Sequence, residues 1–153
     1  MMVFLVLLLM LQASPDINSP FNEKERAIYL QKHSFSDRME LFYEVVARYR
    51  REFDAYGKQK DYSGFLPILD KYSHLLKVME QDLLQLPGEK KAKSKALRKL
   101  EIQLRKAKED LQNFRSNASA EQQTAFENSL AQSESLRTRM LQIIFGKDFL
   151  KDK

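Results

Sequence analysis

Residues 39–56, MELFYEVVARYRREFDAY, determine the fold class of this chain. Their apolar and aromatic side chains recur alternately after three and four positions, at Met39, Phe42, Val46, Tyr49, Phe53 and Tyr56. This heptad spacing places all of them on one face of an α-helix, which must then pack against other helices. The stretch therefore predicts a long amphipathic helix, and Gly57 is expected at its C-terminal cap.

Three segments further along the chain repeat the same spacing. In residues 64–86 the apolar positions are Phe65, Leu69, Tyr72, Leu76, Met79, Leu83 and Leu86. In residues 89–117 they are Leu97, Leu100, Leu104, Ala107, Leu111 and Phe114. In residues 119–145 they are Phe126, Leu130, Leu136, Met140 and Ile143. We therefore expect helices over 64–86, 89–117 and 119–145.

Local signals set the predicted ends of these helices. Ser63 can cap the segment 64–86, with Pro67 in its first turn, where a missing N–H does no harm. Ser119 and Gln122 form a capping-box pattern at the start of the last helix, and Gly146 is expected to end it.

The chain before residue 39 continues the first heptad register. Phe21, Ile28 and Phe35 lie seven positions apart, and Ser19-Pro20 has the pattern of an N-cap and a first helical residue. We favour one continuous helix over 20–57. The alternative is a kink near residues 33–37, HSFSD, because Ser and Asp side chains compete for backbone hydrogen bonds and weaken helix interiors.

Four long helices with short connections predict an all-α fold, either an antiparallel bundle or paired helical hairpins, with no sheet. No Pro-, Gly- or Ser-rich linker divides the chain, so residues 14–153 are expected to form a single helical domain. A chain of 153 residues can bury a core without a metal or disulfide. Cysteine is absent, which excludes disulfides, thiol nucleophiles and thiolate metal sites.

The N-terminus reads MMVFLVLLLMLQASPD, with an unbroken apolar run from Val3 to Leu11. The run is too short for a membrane-spanning helix, which needs about 20 apolar residues. It has the length of a secretory signal core, and Ala13 suits cleavage. We expect residues 1–13 to be a signal peptide and the protein to be exported, periplasmic or extracellular, and soluble after cleavage. A buried core segment is the alternative, but nothing polar interrupts the run to give it an outer face. The run departs from the usual signal pattern in one respect, since no Lys or Arg precedes it.

Positive charge is concentrated in one segment of the chain. Residues 87–118 carry ten basic and four acidic residues, whereas the whole chain has a net charge of +5. With Leu97 at heptad position a, outer positions of this helix hold five candidates for binding an anion or a partner: Lys91, Arg98, Lys99, Arg105 and Lys106. Such a stripe attracts anionic surfaces. A solvated face that only keeps the protein in solution is the simpler interpretation of the same residues.

The composition of the stripe narrows the class of partner. Nucleic acid is disfavoured because no aromatic residues are interleaved for base stacking, and because export would remove the protein from genomic DNA. A protein or an anionic envelope surface is the expected partner, and a homo-oligomer is left open.

Motifs for catalysis, metal binding or cofactor binding are missing from the sequence, so we expect no enzyme and no cofactor or metal. The two histidines, His33 and His74, are not at ligand spacing, and there is no Gly-rich phosphate loop. Asp70 and His74 could form a general-base pair, but a surface ion pair is the simpler interpretation. The aromatic residues of the first two heptad segments are better explained by core packing than by a ligand groove.

Three functional hypotheses follow. We favour an exported, non-catalytic interaction or scaffold protein that binds a partner through helix faces and the basic stripe. A periplasmic chaperone-like holdase is the first alternative, and it would use the stripe together with exposed apolar residues of the second half. An enzyme is the second alternative.

Overall fold

The computed structural model describes residues 19–86 and 91–146, and its secondary structure there is helical throughout, with no strand. The helices are α1 (Glu23–Gln31), α2 (Phe35–Lys58), α3 (Tyr62–Gln85), α4 (Lys95–Arg115) and α5 (Ala120–Phe145), with a 3₁₀ turn at Lys91–Lys93. The predicted all-α fold is therefore confirmed. The predicted signal peptide, residues 1–13, lies outside the described residues.

Helices α2 to α5 form a four-helix bundle built from two hairpins, α2–α3 and α4–α5. α2 packs against α3 and α4, and α5 packs against the same two helices, so α3 and α4 lie diagonally opposite each other. Arg50 contacts Gln103, and Gly57 further along α2 meets Phe114 further along α4. α2 and α4 are therefore parallel neighbours. The chain adopts the paired-hairpin form of the prediction, and not every neighbouring pair is antiparallel.

The predicted heptad faces form the core. Its buried apolar residues include the following: Met39, Phe42, Val46, Tyr49, Phe53, Phe65, Leu69, Tyr72, Leu76, Met79, Leu83, Leu97, Leu100, Leu104, Ala107, Leu111, Phe126, Leu136 and Met140. Phe53 lies at the centre of an aromatic cluster, with ring centroids 5.4 Å from Phe65 and 5.2 Å from Tyr72. The interpretation of the aromatic residues as core is confirmed.

The predicted continuous helix over 20–57 is wrong, because the chain breaks between α1 and α2. Lys32 is extended, with φ −95° and ψ 121°, and Ser34 caps α2 by accepting a hydrogen bond from the backbone N–H of Asp37. The physical reason is the one expected for the kink, since the Ser34 hydroxyl replaces a helical hydrogen bond. α1 begins after Asn22 rather than at Ser19-Pro20, and Asn22 forms a capping box with Glu25.

Several predicted helix ends also shift. Asp61, not Ser63, caps α3, and its carboxylate accepts a hydrogen bond of 2.9 Å from the backbone N–H of Gly64. Pro67 consequently lies in the second turn of α3 instead of the first. Gly57 lies inside α2, which continues to Lys58.

The start of α4 differs most from its prediction. Helix was expected from residue 89, but α4 begins at Lys95, after Ser94, whose side chain accepts a hydrogen bond from the backbone N–H of Leu97. The capping box of Ser119 and Gln122 and the end of α5 at Gly146 are as predicted.

Candidate partner-binding surface

The outer face of α4 is basic. α4 contains seven basic and three acidic residues. Five of the basic residues are exposed, and we call them the basic face: Lys95, Arg98, Lys99, Arg105 and Lys106. They surround Ile102, which is 40% exposed, over a length of about 17 Å at 1.5 Å per residue. The structure thus brings together four of the five residues predicted to bind an anion or a partner.

Two of the three acids of α4 turn away from the basic face. Glu101 is only 8% exposed and accepts a hydrogen bond of 3.0 Å from Arg137 of α5. Asp110 accepts one of 2.6 Å from Arg50 of α2. These ion pairs fasten α4 to both of its neighbours, and they leave Glu109 as the exposed acid of this helix. The carboxylates of α4 therefore do little to neutralise the basic face.

Lys91, the fifth predicted residue, is not part of the basic face. It lies in the 3₁₀ turn before α4 and is half-buried. Its ammonium group donates a hydrogen bond of 3.0 Å to the backbone carbonyl of Leu83 and lies 5.2 Å from the centre of the Phe35 ring. Its predicted position on the outer face of α4 was wrong, because the heptad register was extended into residues that are not part of that helix. Lys91 instead contacts the end of α3 and the start of α2.

A cleft of about 860 Å³ adjoins the basic face between α1, α2 and the start of α4. Lys99 and Ala96 line it from α4, and Glu40 and Glu44 are among the residues lining it from α2. Its lining mixes both signs of charge. No group of three or more His, Asp or Glu residues in the described part of the chain could hold a metal ion.

The candidate acid–base pair lies elsewhere. Asp70 and His74 are both exposed, one turn apart on α3, which is diagonally opposite α4. The basic face and this pair are therefore separate features.

Two ion pairs that attach α1 to α2 and α2 to α3 could not be predicted from the sequence. Arg48 donates hydrogen bonds of 2.6 and 2.8 Å to the two carboxylate oxygens of Glu25. Arg38 donates one of 2.6 Å to Asp82 of α3. The members of each pair are 23 and 44 positions apart, so no local pattern could have identified them. Burial raises the pKa of Tyr49, beside Arg48, to about 12.

Comparisons of the chain with protein families, with curated proteins and with solved structures find no match. Among the described helices, none combines the length and the apolar character that crossing a membrane requires.

Proposed function

We propose that this protein is an exported, non-catalytic interaction or scaffold protein that binds an anionic partner, a protein or an envelope surface, through the basic face of α4. The observation that supports the proposal is the clustering of five exposed basic side chains on the outer side of one helix. Helices α2 and α5 hold that helix in place on its other sides.

Three cations of the basic face are not neutralised by ion pairs within the described part of the protein. Lys99, Arg105 and Lys106 form no ion pair with any residue in the described ranges 19–86 and 91–146. Their charge is therefore available to a partner. Clustered charge of one sign raises the local concentration of an oppositely charged partner and its rate of association, and salt weakens both effects.

No observation favours the holdase alternative. It depended on exposed apolar residues in the second half, but the heptad residues of α4 and α5 are mostly buried. In the described part of the chain, the large apolar side chains that are exposed lie on four different helices: Leu30, Leu84, Ile102 and Phe145.

The test replaces four of the five residues of the basic face and leaves the core intact. Arg98, Lys99, Arg105 and Lys106 are all changed to Gln in one variant. Exposed charges contribute about 0–1 kcal/mol each to stability, so this variant should fold and should retain most of its free energy of unfolding. A control variant changes four exposed basic residues elsewhere to Gln, and so removes the same charge: Arg26, Lys58, Lys60 and Lys77.

Binding is measured to anionic vesicles and, separately, to envelope proteins captured by crosslinking. The wild-type protein and the control variant should bind at low salt and release as ionic strength rises, because the Debye length falls from about 10 Å at 0.1 M to about 3 Å at 1 M. The basic-face variant should lose binding. Equal binding by both variants, or binding that does not respond to salt, would contradict the proposal.

A further inference from the structure

Helix α1 lies on the bundle as a short antiparallel strap. It folds back along α2, so that Pro20 lies beside Tyr49 and Tyr29 lies beside Arg38. None of the residues of α1 is buried, in contrast to the four helices of the bundle. α1 is therefore attached through one face only.

Phe21, Glu25 and Tyr29 contribute to this attachment. Glu25 and Tyr29 are four positions apart, which places them on one side of α1, and Phe21 lies just before the N-cap of the helix, against Tyr29. The rings of Phe21 and Tyr29 stack with centroids 4.8 Å apart, and both approach Phe42 of α2, at 6.5 and 6.2 Å.

The bundle provides a shaped site for this face. Arg48 binds the Glu25 carboxylate through two hydrogen bonds of 2.6 and 2.8 Å, and the Tyr49 hydroxyl donates a hydrogen bond of 2.7 Å to the carbonyl of Pro20. Paired hydrogen bonds between Arg and a carboxylate give both strength and geometric specificity.

The far end of the site lies between α2 and α3. The guanidinium of Arg38 lies 3.8 Å from the centre of the Tyr29 ring, whose hydroxyl donates a hydrogen bond of 3.3 Å to Asp82 of α3. Asp82 is also the ion-pair partner of Arg38. We call the surface formed by Arg38, Phe42, Arg48, Tyr49 and Asp82 the α1 groove.

The link between α1 and α2 is compatible with two arrangements of the same chain. Only residues 32–34 separate the helices, and the heptad positions Phe21, Ile28 and Phe35 run through that link without a change of register. If residues 32–34 became helical, α1 would extend straight from α2 and leave its own groove empty.

We propose that the α1 groove also binds α1 of a second copy of this chain, so that two copies exchange α1 and form a dimer. In the dimer, the straightened helices of the two copies run antiparallel, and Glu25 of each copy binds Arg48 of the other. The second copy is the occupant that the groove fits, because every contact of α1 is available unchanged in trans. Only the link differs between the two forms, as in domain swapping, and protein concentration sets their balance.

The test reverses one charge in each of two proteins. Glu25→Arg places two cations together in the groove, and Arg48→Glu places two carboxylates there, so each variant alone is mismatched both as a monomer and as a homodimer. In an exchanged heterodimer of the two variants, each groove again contains one Arg and one Glu. The full chain of each variant is purified, and one of the two variants carries a tag. The two proteins are then mixed and partially unfolded so that α1 can exchange.

We expect the mixture to give a heterodimer of about twice the monomer mass, which contains one tagged and one untagged chain. It should be in several-fold excess over either homodimer. The double variant Glu25→Arg with Arg48→Glu restores the ion pair within one chain. It is the control for the loss of the capping box that Glu25 forms with Asn22. Absence of heterodimer from the mixture, while the double variant is folded, would overturn the proposal.

A second pair of variants acts on the link alone. Proline at position 33 suits the extended conformation of Lys32, and it prevents a continuous helix. His33→Pro should therefore keep the protein monomeric at concentrations where the wild type forms some dimer. Ser34→Ala removes the cap of α2 and favours the straight helix, so it should raise the dimer fraction several-fold. A dimer fraction that neither variant changes would mean that association does not involve exchange of α1.

Discussion

Replacing Gly57 with Ala tests how closely α2 and α4 approach. Gly57 is the penultimate residue of α2, and a Cβ atom built there would lie 1.9 Å from Cε1 of Phe114 and 2.5 Å from Cδ1. Ordinary van der Waals contact begins near 3.4 Å, so the ring would have to move by about 1.5 Å. The ring is held by Phe65, whose centroid lies 5.4 Å away.

Opposing contributions determine the size of the effect. Ala is favoured over Gly within a helix by up to about 1 kcal/mol. Overpacking a fitted contact costs about 1–3 kcal/mol, and displacing Phe114 from Phe65 adds part of an aromatic pair energy of about 0.5–1.5 kcal/mol. The steric cost exceeds the helix propensity, so Gly57→Ala should lower the free energy of unfolding by about 1–2 kcal/mol.

Urea unfolding measures this change through the transition midpoint, since m-values are about 1–3 kcal/mol/M for small proteins. The same substitution is then made in a Phe114→Ala background. Without the ring, Gly57→Ala should stabilise the protein by up to about 1 kcal/mol, because only the helix propensity remains. If the substitution stabilises both backgrounds equally, the close approach of α2 and α4 does not constrain position 57.

Two other predictions concern the core. Phe53→Ala and Leu76→Ala should each lower the free energy of unfolding by about 2–5 kcal/mol in urea unfolding, because both side chains are buried and would leave cavities. Leu84→Ala is the matched control, since Leu84 is 54% exposed and should change little; similar losses at all three positions would contradict the assignment of the core. Because burial raises the pKa of Tyr49 from 10.0 to about 12, its neutral form stabilises the fold below pH 10, and this contribution is lost as pH rises through about 12. Tyr49→Phe should reduce the slope of stability against pH in that range, and an unchanged slope would show that Tyr49 is not the group responsible.

Much of the candidate binding surface could be predicted from sequence. Once Leu97 is placed on the inner side of a helix, Arg98, Lys99, Arg105 and Lys106 must lie on the outer side. The predicted position of Lys91 on the same side was wrong, because α4 begins after the Ser94 cap, later than the heptad pattern indicated. A register can be extended along a helix only as far as the helix itself extends.

The sequence by itself determined the central parts of the four long helices and which side of each faces the core. These properties depend on residues three or four positions apart, which meet within one helix whatever the rest of the chain does. Capping at Ser119 and Gln122 is local for the same reason.

Only the tertiary structure decided that α3 and α4 lie on a diagonal, that α1 folds back, and which partners Arg38, Arg48 and Glu101 take. Heptad patterns are compatible with several arrangements of helices, because each helix requires only that its apolar face pack against the apolar face of some other helix. The same pattern also fits a straight helix over residues 20–57. Within a single chain, the bend is selected by the Ser34 cap together with the contacts of Phe21, Glu25 and Tyr29 on a groove formed by residues far away in the sequence.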